Sequence, residues 1–333
     1  MLRILHDTKV DFIRLWRWST AVTALFILPG LILIAISGFR YSIEFTGGTL
    51  MRLQFTTAPD VGDVRSALSD AGISGAEIQT FGSPRELQVR AQDAQHVEQQ
   101  SVGAESVAQR IRAALDARYG ADAYKVLRTE GIGPRIGAEL RRQALIAIVL
   151  SFAVTLIYLA WRFEWRFGVA AIVATVHDIL ATLAFMKYMN LEVSLFVVGA
   201  VLTVIGYSLN DTVVVFDRVR ENLKLQRRMS FYDILNLSVN ETLPRTVMTG
   251  STTLATLLAL LIFGGEVIRP FAWVLTYGIL VGTFSSIFVA GPVLLWIERR
   301  WQRKAGEKGG ATHTQLEQTA QTKRRDPEPV GSR

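Results

Sequence analysis

Six apolar runs, each about 20 residues long, dominate this chain, and each is long enough to cross roughly 30 Å of hydrocarbon as a helix. They are Trp18 to Ile36, Ala144 to Trp161, Phe167 to Met189, Val193 to Phe216, Val247 to Phe263 and Phe271 to Ile297. Half of the 333 residues are hydrophobic, and their gathering into these runs predicts an integral membrane protein with six helices. The first run follows Arg3, Lys9, Arg14 and Arg17. It is longer than a signal-peptide core, so it reads as an uncleaved anchor.

Lys and Arg in the short loops set the orientation. The N-terminal segment, the "RFEWR" loop (Arg162, Arg166), the segment Asp217 to Thr246 and the stretch opening with Arg299 and Arg300 all fall on one side of a six-span arrangement. The other side holds only "NLE" at 190 to 192 and "GGEVIRP" at 264 to 270. Both termini are expected in the cytoplasm, which makes the net charge of +7 a topology signal and argues against a nucleic-acid partner. The domains expected are 1–17 (cytoplasmic), 18–37 (first helix), 38–138 (exported), 139–297 (five further helices) and 298–333 (a cytoplasmic, mostly disordered tail).

About 100 residues suffice for a small soluble domain. In the exported segment the alternating run "YSIEFTGGTLMRLQF" reads as one strand. It is followed by a helix from Val61 to Ala71, strands near Ala76 to Phe81 and Leu87 to Ala91, a helix from Glu105 to Tyr119 and a strand near Tyr124 to Thr129. The fold class is therefore a membrane protein with an all-α six-helix transmembrane bundle and a small α+β (β-α-β-β-α-β) exported domain. The polar stretch "QDAQHVEQQSVGAES" reads as a mobile loop.

Several chemistries have no basis in the residues. The chain has no cysteine, and His6, His96, His177 and His313 lie far apart in sequence, so no metal site is expected. Neither a GxxxxGK[ST] loop nor a strand-borne GxGxxG is present, so no nucleotide cofactor is expected and energy must come from elsewhere. No enzymatic activity is expected. An intramembrane aspartyl protease would carry GxGD, but Ser208, Leu209 and Asn210 precede Asp211.

Two glycine clusters flank the exported domain. "FTGGT" (Phe45, Thr46, Gly47, Gly48, Thr49) interrupts the first strand, and Gly131, Gly133 and Pro134 break the last one before a helix near Arg135. Each reads either as a kink or as a hinge or contact, and together they suggest a head held by two flexible points. Within the spans, Gly199, Thr203, Gly206 and Asn210 share one face of the fourth helix. Gly278, Gly282, Ser286 and Ala290 form a small-residue ladder in the sixth, and Thr249, Thr253 and Thr256 a hydroxyl stripe in the fifth. Helix packing accounts for these ladders.

Packing does not account for charge. An ionised Asp at the centre of a span costs about 2.5 to 3.5 kcal/mol on insertion scales. Asp211 is expected about 7 to 8 Å inside one end of the fourth helix. Arg245, in "TLPRTVM", is expected at a similar depth just before the fifth. An opposite charge favours the ionised form and burial the neutral one, the opposition a proton switch needs. A static pair, with Arg245 snorkelling to headgroups, is the alternative. In the third span His177 and Asp178 sit near mid-membrane, flanked by Thr175 and Thr182 as hydrogen-bond partners for Asp178; relay and structural cluster both fit.

The ordered set "IEFTGGT", "GPRIGAEL", "RFEWRF", "HD", "VIGYSLNDTVVVFDRVREN" and "TLPRT" resembles the SecF family of protein-export membrane subunits, relatives of the resistance-nodulation-division exporters. The resemblance runs from the first span to about Arg300. It implies an obligate partner, SecD, association with the SecYEG channel and a YajC-like accessory, and an unfolded preprotein as substrate. It implies use of the proton gradient in late export across the bacterial cytoplasmic (inner) membrane, with H+ or Na+ as coupling ion and no resident cofactor. By resemblance, Asp211 of the "ND" pair and Arg245 belong to proton conduction, with Asn210 beside them, and His177 and Asp178 match a recurrent pair. A proton-coupled small-solute exporter half and a non-transporting scaffold remain as alternative functions.

Overall fold

The computed structural model describes residues 8–73, 76–91 and 102–301. Six helices are long and apolar enough to span a membrane: Ile13–Ser37, Arg135–Arg162, Trp165–Tyr188, Leu195–Leu225, Phe231–Phe263 and Val267–Trp301. In chain order the elements are α1 (Trp16–Ser37, after a 3-10 turn Ile13–Leu15), β1 (Arg40–Tyr41), α2 (Ile43–Thr46), β2 (Gly48–Phe55), α3 (Val61–Asp70), β3 (Glu77–Phe81) and β4 (Ser83–Ala91). There follow α4 (Val102–Tyr119), β5 (Tyr124–Ile132), α5 (Pro134–Arg162), α6 (Trp165–Tyr188), β6 (Glu192–Val193), α7 (Leu195–Leu225), α8 (Phe231–Phe263) and α9 (Gly265–Ser285). A π-helical turn, Ser286–Ala290, interrupts the last span, which then resumes to Trp301.

Helices α6, α7 and α9 form the interior of the bundle, whereas α1, α5 and α8 bury little of their apolar surface. Leu145, Ile157, Trp161 and Phe263 are exposed, an arrangement that suits lipid and would not suit water. Helix ends are set by local chemistry. Gly38, at φ 61°, ends α1; the Ser194 hydroxyl accepts from Val197 N to cap α7, and the Ser230 hydroxyl caps α8 through Asp233 N.

The domain between α1 and α5 is a four-stranded antiparallel sheet in the order β3-β4-β2-β5, two interleaved split β-α-β units. Met51, Leu53 and Phe55 of β2 and Leu87, Val89 and Ala91 of β4 point to one face, where Val64 and Leu68 of α3 and Ile111 and Leu115 of α4 cover them. This is the element order expected from the alternation of apolar residues.

Local expectations are corrected at several places. The run "YSIEFTGGTLMRLQF" is not one strand: β1 gives way to the single turn α2, and β2 begins only at Gly48. Gly47 (φ 73°) and Gly48 (φ 122°) adopt conformations disfavoured for other residues and turn the chain between the two. β4 begins at Ser83 rather than Leu87, because Gly82 (φ 71°) and a register shift at Phe81 make a tight hairpin. β5 continues to Ile132, because its end pairs with the start of β2. The stretch expected as a mobile loop is outside the described residues up to 101, with α4 starting at Val102; the tail from 302 onward also lies outside them. α7 and α8 extend well past the apolar runs at 216 and 247, forming a helical hairpin whose Val219, Ile234, Leu235 and Val239 share a core with Phe167 of α6 and Leu294 of the last helix.

Candidate functional site

The buried centre of the bundle is a polar cluster contributed by α6, α7 and α9. On α6 the Asp178 side chain is 1% exposed. The Ser208 hydroxyl of α7 and the Ser285 hydroxyl of α9, the latter at 2.6 Å, both donate to its Oδ2. His177 Nδ1 lies 2.9 Å from Oδ1. Two hydroxyl donors and an imidazole nitrogen thus converge on one buried carboxyl group, as burial of a polar group requires. The other ring nitrogen of His177, Nε2, is buried without a hydrogen-bond partner. Thr175 and Thr182, expected to bind Asp178, do not reach its carboxylate. Their hydroxyls donate to the main-chain carbonyls of Ala171 and Asp178, the local satisfaction that a helix offers to threonine.

One turn along α7 from Ser208 lies Asp211, 3% exposed, whose Oδ2 accepts from Thr283 Oγ1 at 3.3 Å. Thr283 and Ser285 both come from α9, so that helix joins the two acids. The close approach has a readable cause. A Cβ on Gly278 would fall 2.1 Å from the Val204 side chain, and one on Gly282 would fall 2.9 Å from Ser208 Cβ. Only glycine lets α9 lie this near α7. Ser286 is buried, donates to Thr283 O, and opens the π-turn, a local irregularity common at functional positions.

Arg245 lies within electrostatic range of Asp211. Arg245 is exposed and makes no ion pair among the described residues. The expected depths are corrected: because α7 runs on to Leu225 and α8 begins at Phe231, each group lies about 21 Å from its helix end at 1.5 Å per residue. The hydrophobic runs ended earlier than the helices, since charged residues continue a helix as readily as apolar ones.

The ladder Gly199, Thr203, Gly206 and Asn210 is not a packing face within this chain. Thr203, Gly206 and Asn210 are exposed, and a Cβ on Gly199 or Gly206 would meet nothing within 4 Å. α9 instead packs on the adjacent face of α7, through Val204 and Ser208. On α8, Thr249, Thr252 and Thr256 are likewise exposed and satisfy themselves on carbonyls one turn back. A polar surface made of small residues therefore lies open beside the buried acids.

The two glycine clusters form one junction rather than two flexible points. Gly48 pairs with Ile132 and Thr49 with Gly131 across β2 and β5, and Thr49 is 1% exposed. Ile43 and Phe45 are buried, and Thr46 Oγ1 donates to Ser42 O. Gly133 caps α5, and Pro134 occupies its first turn, where its missing N–H costs nothing. Gly137, one turn on, packs so closely that an added Cβ would lie 2.9 Å from Gly47 N.

A set of residues not singled out from the sequence ties this junction to α6 and α7. β1 pairs with β6 in parallel, Ser42 N donates to Val193 O at 2.9 Å, and Lys187 Nζ donates to Gly38 O at 2.6 Å. Glu44 accepts from Leu195 N at 2.6 Å, placing a carboxylate at the start of α7. Arg90 of β4 pairs with Glu192 and Glu77 and donates to Tyr41 O at 3.0 Å. Charged residues in short loops carry no local pattern that would reveal these partners. Ser208, by contrast, lies one turn from Asp211, and that spacing could have marked it.

Comparison with known proteins agrees on one family. Residues 113–300 match the family described as "Protein export membrane protein SecD/SecF, C-terminal", and residues 32–59, which include Gly47 and Gly48, match the "SecD/SecF GG Motif". The protein translocase subunit SecF of Gemmatimonas aurantiaca is 56% identical over 305 residues, 91% of each chain. That of Desulfurispirillum indicum is 44% identical over 295 residues, 88% of this chain and 93% of that one. Among solved structures, SecDF from Thermus thermophilus, described as a translocon-associated membrane protein, superposes with a TM-score of 0.78 at 36% identity, covering 90% of this chain and 40% of that one. A super-membrane-facing form of SecDF gives 0.67 at 37% identity over 91% of this chain. This chain spans about two fifths of the length of those SecDF chains (40% and 41%).

Proposed function

The chain belongs to the SecF family of protein-export membrane subunits, and from that premise we propose that it uses a proton gradient, together with SecD, to promote late export of unfolded preproteins. One observation carries the proposal. Two buried acids, Asp178 and Asp211, are joined by hydroxyls of α7 and α9, and Arg245 stands near Asp211 without pairing to it. A buried carboxylate held by hydroxyls, with a cation close enough to favour its charge, is the arrangement a reversible protonation step requires. Asn210 and the open faces of α7 and α8 would meet SecD, which would complete the path on that side. In this reading the membrane is the bacterial cytoplasmic membrane, both termini lie inside, and the SecYEG channel and a YajC-like subunit are further partners. The coupling ion is H+; Na+ would fit the same oxygens.

Energetically one proton crossing about 100 mV supplies roughly 2.3 kcal/mol, so many cycles would be needed to move a long segment. The junction of β1, α2 and β6 would pass each cycle from α7 to the exported domain. The test is Asp211→Asn in the chain reconstituted with SecD and the SecYEG channel in vesicles. Completion of translocation should lose its dependence on the proton gradient while copurification with SecD is unchanged. An unaltered response to the gradient removes Asp211 from the mechanism. Loss of copurification instead favours the scaffold reading.

A further inference from the structure

Between α1 and the last helix the bundle carries a groove of about 530 Å³, within the range of pockets that hold small molecules. It is lined mainly by apolar side chains. Val173 and His177 of α6 form its inner end, and Val293 lies along its wall. Trp16, Trp296 and Arg299 line its other end, where α1 begins and the last helix finishes. Arg17 lies over the Trp16 ring at 5.8 Å and Arg300 over the Trp296 ring at 4.1 Å, so two further guanidinium groups rest on the tryptophans that line that mouth with Arg299. Among the described residues none of the three has a carboxylate partner, whereas Arg162 and Arg166 at the same end are matched by Asp217 and Glu164.

The geometry points to a binding site for an anionic glycerophospholipid, with one acyl chain in the groove and the phosphate on Arg299, flanked by Arg17 and Arg300. The charge complementarity is specific to that occupant. An apolar slot in a lipid-facing surface takes a hydrocarbon chain, tryptophan and arginine mark the headgroup level, and arginine binds phosphate in a bidentate manner. A zwitterionic lipid would fill the slot without matching the three cations. The seated chain would also lie against the inner end of the groove, where His177 Nε2 is buried and unpartnered, and would keep water from that face of the relay. This last consequence rests on the proton-relay reading; lipid binding does not.

The experiment is native mass spectrometry of the full chain copurified with SecD, exchanged into phosphatidylglycerol or phosphatidylcholine. Phosphatidylglycerol should be retained at least about five-fold better, the factor one arginine near a headgroup supplies. Arg17→Gln, Arg299→Gln and Arg300→Gln together should reduce it to the phosphatidylcholine level. Val293→Trp, which fills the groove, should lower retention of both. Retention of SecD by each variant reports that it has folded, and the charge variants leave the apolar walls intact should Val293→Trp fail. Equal retention of the two lipids, or a preference that survives the triple substitution, overturns the proposal. Displacement of the lipid by inorganic phosphate would show a free-anion site instead, and absence of any retained lipid would likewise overturn the proposal. Retention is measured without a gradient, so a failed relay leaves this result unaffected.

Discussion

Asp178 illustrates how a costly residue is accommodated. Its carboxylate is matched by Ser208, Ser285 and His177, each from a different position around it. Removing one hydroxyl leaves a buried acceptor short of a donor, a loss of about 1 to 3 kcal/mol. Ser208→Ala and Ser285→Ala are each expected to lower stability by that order, and the double mutant by less than their sum, because both serve one oxygen. Thermal unfolding of the purified protein checks this. Outside the bundle, Asp11 accepts from Tyr232 Oη at 2.6 Å and Asn236 Nδ2 at 2.8 Å. The Tyr232 hydrogen bond, with those of Arg14 N and Asn236, holds its carboxyl below the usual carboxylate range, outweighing partial burial. A lowered value stabilises the folded form above the ordinary carboxylate pKa, and that stabilisation is lost as pH falls through the lowered one. Attachment of residues 8–13 to α8 should therefore be firm at neutral pH and weaken in acid, and Asp11→Asn should abolish the dependence. Hydrogen exchange of that segment as a function of pH is the measurement.

Among the elements, α9 and α7 show why similar ladders behave differently. Gly278 and Gly282 touch the partner helix at distances no Cβ tolerates, while Gly199 and Gly206 face open space. Gly282→Val is expected to force α9 from α7, at about 1 to 3 kcal/mol for overpacking, and to draw Ser285 and Thr283 away from both acids. Gly206→Ala should leave the isolated chain unchanged and reduce copurification with SecD. Unfolding midpoints and yield of the complex separate the two. Spacing alone gave both ladders the same reading, because a sequence shows that small residues share a face but not whether another helix occupies it.

At the level of the whole molecule the α+β domain between α1 and α5 is clasped rather than hung. β1 and β6, Glu44 at Leu195 N, and Arg90 with Glu192 join it to the α6–α7 connection. Tyr41 and Val193 lie opposite each other across the parallel strands. Since the chain has no cysteine, a disulfide between Tyr41→Cys and Val193→Cys would be unambiguous and would leave the Arg90–Glu192 pair in place. On the proposed cycle, in which the junction moves with α7 as one body, it should form readily and leave export intact; export blocked on oxidation and restored on reduction would show that the clasp must open. If the proposed function holds, Arg90→Glu should weaken gradient-dependent export, and Arg90→Glu with Glu192→Arg should restore it.

The six spans, the β-α-β-β-α-β order and the acids within apolar helices were legible in the chain itself, since length, alternation and an acidic residue amid apolar ones are local properties. Which donors surround Asp178, that Gly48 and Thr49 lie beside Ile132 and Gly131, and that Arg90 meets Glu192 were decided only by tertiary structure. Ser285 and Asp178 are 107 residues apart in sequence. Periodicity says which way a side chain points, but only packing of the helices brings such distant groups to hydrogen-bonding distance.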